Sequence, residues 1–245
     1  MNAQVAGGHW QGRWAGPPDL NSAGRARRRR GLLSIVAVTA LLGVLAAFAV
    51  AAGTEPAGRT FAAIAGPTHS LMSVTVPFLG VLLVRELRRP TRLGEVLAVV
   101  ARALGLALLI AGLGVLICTV VTAVFPSDAG SDRWQGAAAA ALGSLLVHGV
   151  AQLVGTGLGL LIRRPVLACV ATIALPLGLW WLLGAVESLR PAQAWFTPFP
   201  SAQRLLSGAM TPTAWVQWLT VLAIWGVGLN AIAILGSARR TPAEA

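Results

Sequence analysis

The chain has 245 residues, of which 56% are hydrophobic and 11% charged, with a formal net charge of +11. Soluble domains carry about 25% charged residues, so this chain has too few to cover a water-facing surface. All 19 basic residues are Arg, which excludes a P-loop Lys and a Schiff base and leaves any ATP to be hydrolysed by another chain.

Runs of about 20 apolar residues recur, each long enough to cross roughly 30 Å of hydrocarbon. The expected fold is an all-α integral membrane protein with six transmembrane helices; the alternating short segments of a transmembrane barrel are absent. Residues 1–30 read as a mobile basic tail ending in Arg25–Arg30, where each Arg near anionic headgroups adds about 1 kcal/mol. The first span is expected at 31–53. Its end, Ala49–Gly53, resembles a signal-peptidase site, but the run exceeds the 7–15 or so residues of a secretory core, so an uncleaved anchor is expected. The second span, 67–84, places Pro67 in the first helical turn. Pro77 falls in mid-span, where Ser73 or a neighbouring helix must satisfy the freed carbonyl.

A short charged segment follows, with Arg85, Glu86, Arg88, Arg89, Arg92 and Glu95 around the helix-interrupting Pro90. The third span, 96–125, carries Arg102 close to one face, where it can snorkel. The fourth, 136–162, is crowded with small residues, and Gly155 and Gly159 form a GxxxG pair that lets backbones approach. Arg163-Arg164-Pro165 turns the chain into the fifth span, 166–183. The insert 184–213 holds Trp195–Pro200 and a short amphipathic helix, N-capped by Ser201 and ended by Gly208, at the outer interface or re-entrant. The sixth span is 214–235, within a membrane domain of 31–240 and ahead of a short tail, 241–245.

Arg placement sets the expected orientation. Six Arg precede the first span, four lie at 85–92, two at Arg163-Arg164 and two at Arg239-Arg240. Only Arg59, Arg133, Arg190 and Arg204 fall on the other side. By the positive-inside rule both termini are cytoplasmic. Trp134, Trp180, Trp181, Trp195, Trp215 and Trp218 then gather at the outer face as an aromatic belt. The Arg clusters beside apolar runs are a membrane signature, so nucleic acid is not an expected partner and membrane lipids are. Cys118 and Cys169 fall at opposite depths and read as small buried residues with no disulfide between them.

The spans contain no Asp or Glu, which weighs against a proton- or sodium-coupled carrier. His148 and Gln152, at i and i+4 on the fourth span with Thr156 continuing the stripe, are the strongest polar candidates. They line a substrate path or make interhelical hydrogen bonds. Ser144 and His148 on one helix do not make a protease. A metal site is not expected, because His9 lies in the tail and His69 close to the outer face. No catalytic or nucleotide-binding motif is present, so this chain is not expected to be an enzyme. The mixed charge of the 85–95 segment suits contact with a partner surface as well as topological anchoring.

The order of features resembles the permease subunits of ABC-2 type exporters: a basic segment before the first helix, a charged loop between helices two and three, and a long outer insert between helices five and six. The local matches are Val84-Arg85-Glu86-Leu87 with Thr91 and Gly94, and Trp195–Pro200 leading into Ser201–Gly208. Pro90 departs from the uninterrupted Glu-aromatic-x-x-Gly stretch of many members. The resemblance implies a half-transporter in the bacterial plasma membrane, paired with a second permease subunit, identical or different. A separate ABC ATPase subunit would bind ATP and Mg, and no cofactor is expected in this chain. It also implies that Arg85, Glu86, Arg88, Arg89, Arg92 and Glu95 form the loop that couples to that ATPase. A non-transport membrane scaffold or immunity-type protein is the competing reading.

Overall fold

The computed structural model describes residues 20–85, 87 and 93–238. Among these the chain is helical with no strand, and six helices are long and apolar enough to cross a membrane. The charged segment lies mostly outside the described residues, which do not include Glu86, Arg88, Arg89 and Arg92, while Arg85 and Glu95 are exposed at its two ends.

The helices are α1 (Leu20–Gly53), α2 (Phe61–Val84), α3 (Leu93–Val124), α4 (Ala137–Leu161) and α5 (Pro165–Ala185). Two short helices follow, α6 (Gln193–Phe196) and α7 (Pro198–Ser207). The last span consists of α8 (Pro212–Val221), a π-helical stretch Leu222–Gly228 and α9 (Leu229–Ala238). The short connections between the first four spans make neighbours run in opposite directions.

Several boundaries differ from the sequence reading, each for a local reason. Helix α1 already runs from Leu20, so Arg25–Arg30 is helical rather than part of a mobile tail; Arg is a good helix former and nothing there breaks the helix. Helix α2 starts at Phe61, because Thr60 caps it by accepting from Ala63 N at 3.3 Å. Pro67 is therefore inside the helix, not in its first turn. The Ser73 hydroxyl donates to Ser70 O at 2.8 Å and does not serve the Ser73 carbonyl that Pro77 frees. The cap of α7 is Thr197 rather than Ser201, which lies buried inside that helix. Gly208 ends α7 at φ 71°, a left-handed position that suits glycine, with Ala209 N bonded to Arg204 O at 3.0 Å.

At the end of the bundle where α2 and α4 begin, arginines close helix C-termini. Arg59 donates to Thr54 O at 2.8 Å and to Pro126 O at 2.9 Å, and Arg133 donates to Thr122 O at 2.6 Å. These carbonyls have no intrahelical partner, so a guanidinium there satisfies them and opposes the helix dipole. Trp134, Trp181, Trp195 and Trp215 are exposed at that end, but Trp218 is not part of the belt. It is buried against Leu205, Leu206, Val221 and Trp225.

Candidate functional site

Helix α4 is the post on which the bundle is built, and its glycines explain why. A Cβ on Gly155 would strike the Pro77 carbonyl, and one on Gly159 would meet Val81 Cα at 2.9 Å. From the facing side, a Cβ on Gly80 of α2 would meet Thr156 N at 2.8 Å. The Gly155/Gly159 pair thus seats α2 backbone to backbone within the chain. Gly157 does the same for the last span, where a Cβ would meet Leu229 Cβ at 2.8 Å, and Gly143 receives the backbone of α7 at Leu205. Three elements lean on one helix at four residues without side chains.

The polar stripe of α4 lies among these contacts. His148, Gln152 and Thr156 are all fully buried, and each addresses a different partner. The Gln152 amide, oriented as its neighbours require, donates to Val76 O at 2.7 Å and accepts from Gly80 N at 3.1 Å. These two groups form one rung of the α2 ladder just past Pro77, so the amide serves backbone that hydrocarbon could not. Thr156 donates to Asn230 Oδ1 at 2.9 Å, and Asn230 Nδ2 donates to Leu153 O at 2.8 Å and Gly226 O at 2.7 Å. Gly226 belongs to the π-helical stretch, where wider turns leave carbonyls free for such a side chain.

His148 Nδ1 bonds to the Ser144 carbonyl at 2.8 Å. A carbonyl only accepts, so Nδ1 carries the proton and Nε2 of the neutral ring keeps its lone pair. The ring stands edge-to-face to His69, with centroids 5.4 Å apart at 87°. The two imidazoles come together because α2 starts at Phe61: His69 then lies eight residues, or about 12 Å, into the helix. The expectation that His69 sits close to the outer face is corrected accordingly. His69 Nδ1 and Nε2 and His148 Nε2 have no hydrogen-bond partner.

A separate apolar cleft of about 140 Å³ opens between α2, α4, α5 and α7, lined among others by Ser73, Pro77, Val150, Thr172, Pro176 and Phe199. None of His148, Gln152 and Thr156 lines it. Cys118 and Cys169 are both free thiols. No group of three or more His, Cys, Asp or Glu gathers among the described residues.

Sequence reasoning missed Asn230, His69 and this cleft. An Asn inside an apolar run was a usable signal, since intramembrane polar groups need partners. Nothing in the sequence says that His69 faces His148. Compared with protein-family models, curated proteins and solved structures, the chain matches none.

Proposed function

We propose that the chain is the membrane-spanning permease subunit of an ABC-2 type exporter, powered by ATP that a separate nucleotide-binding subunit hydrolyses. In this reading it sits in a bacterial plasma membrane with both termini cytoplasmic and pairs with a second permease subunit.

The observation that carries the reading is the insert between the fifth and sixth spans. Helix α7 folds back into the bundle instead of lying outside it, while α6 has no buried residue. Leu205 and Leu206 are buried, and Trp225 Nε1 donates to Phe196 O at 2.7 Å. The insert seats on Gly143 near the start of α4, the end opposite the charged connection between α2 and α3. A force applied at 85–95 would enter α2, cross to α4 at the Gly80–Gly155–Gly159 contact, and reach the insert at Gly143. Such a route suits a machine driven from one face of the membrane to open on the other. The cleft beside Pro77 and Pro176 would offer an apolar substrate a place along α2 and α5. Arg85, Glu95 and the residues between them would supply the coupling contact.

Purification from the native membrane in a mild detergent tests the reading. A stoichiometric ABC ATPase subunit is the expected companion. Its absence would overturn the permease reading and favour a non-transport scaffold or immunity-type protein of the same fold.

A further inference from the structure

We infer that His69, Met72 and His148 form a binding site for one soft monovalent cation of the copper(I) class. Met72 follows His69 by three residues on α2, so both project from one face. Their side chains converge on a notch in α3: a Cβ on Gly114 would lie 2.5 Å from His69 Cε1, 3.0 Å from His69 Nδ1 and 3.0 Å from Met72 Sδ. On the opposite side Gly43 of α1 makes room for the same thioether, since a Cβ there would meet Met72 Sδ at 2.6 Å. His148 closes the group from α4. Four helices thus enclose two imidazoles and a sulfur, all three side chains fully buried.

The chemistry of these donors selects the ion. Three buried ring nitrogens without partners are costly in hydrocarbon, and a metal that takes one lone pair from each ring removes that cost at two of them. Thioether with imidazole is a soft set, suited to Cu(I) and not to Mg or Ca. No carboxylate is at hand in the spans to offset a second positive charge, so a monovalent ion is favoured over a divalent one. The Ser144 carbonyl holds the His148 proton on Nδ1, which leaves Nε2 ready to ligate, the usual outer support of a metal-bound histidine. With each nitrogen about 2 Å from the ion, a trigonal arrangement needs ring centres about 5.5 Å apart, so the 5.4 Å between His69 and His148 leaves room for one ion once the ring that presents its face turns its nitrogen edge inward.

Silver(I), the redox-inert analogue, is the probe, titrated into the purified full chain in detergent. The background carries Cys118→Ala, Cys169→Ala and His9→Ala, to remove competing soft ligands. One ion per chain is expected. Met72→Leu, a change of similar volume, should weaken binding about tenfold or more, and His69→Phe or His148→Phe should abolish it. X-ray absorption of the same Cys118→Ala, Cys169→Ala, His9→Ala chain loaded anaerobically with Cu(I) should give nitrogen and sulfur scatterers together; with nitrogen alone the assignment fails, and this readout stands even if a His69 or His148 variant does not fold. No stoichiometric binding in the Cys-free background would overturn the proposal, as would affinity unchanged by Met72→Leu. The titration needs no ATPase, so its outcome is independent of the permease reading.

Discussion

At the scale of single residues, the glycines of this chain divide into two kinds, and the division is measurable. Gly155 has the Pro77 backbone where a side chain would go, whereas Gly112 has open space around its absent Cβ. Gly155→Ala should destabilise the folded protein by about 1–3 kcal/mol through overpacking. Gly112→Ala should be neutral or stabilising by up to about 1 kcal/mol, the helix-propensity difference. Thermal unfolding in one detergent checks both, and equal effects would contradict the backbone contact. Thr156 and Asn230 invite a double-mutant cycle with Thr156→Val and Asn230→Leu. The expected coupling is about 0.6 kcal/mol and at most about 1.7, the range for interhelical hydrogen bonds in membranes. Additive effects would mean that the 2.9 Å bond contributes nothing.

At the scale of elements, hydrophobic run length made the spans legible, because crossing the bilayer takes about 17–25 apolar residues. The ends were less legible. Thr60 is a good cap, but Phe61–Gly66 is followed by Pro67, and a Pro near a helix start reads as its first turn. The structure instead carries Pro67 inside α2. The π-helical stretch Leu222–Gly228 left no trace in periodicity, since its residues are apolar all round; Asn230 was its only visible mark. The Arg caps are also testable here. Arg133→Ala strips the partner from Thr122 O at the end of α3 and should cost about 0.5–1.5 kcal/mol, and Arg133→Lys should recover only part of it, since a lysine offers no planar fork. Unfolding midpoints of the two variants decide the point.

At the scale of the whole molecule, the sequence identified the stripe His148–Gln152–Thr156 but not what each residue faces. Helix adjacency depends on packing across the bundle, which no local pattern encodes. Hence Gln152 was readable as an interhelical donor while its partners, Val76 and Gly80, were not, and the two histidines read as unrelated. Arg placement supports the proposed orientation, with both termini cytoplasmic, and labelling tests it. In a Cys-free chain, single cysteines at Arg85 or Arg163 should react only from the cytoplasmic side, and those at Asp128 or Leu189 only from outside. The reverse pattern would invert the account.

We propose that an ATPase docked on the segment between α2 and α3 drives this chain. The most direct test is ATP hydrolysis by complexes isolated from native membranes, comparing the wild-type chain with Glu86→Arg at equal amounts of permease. The expected result is ATPase activity with the wild-type chain and loss of both the activity and its subunit with the variant. Equal activity in the two samples would contradict docking at this segment, and no activity in either would contradict the permease itself.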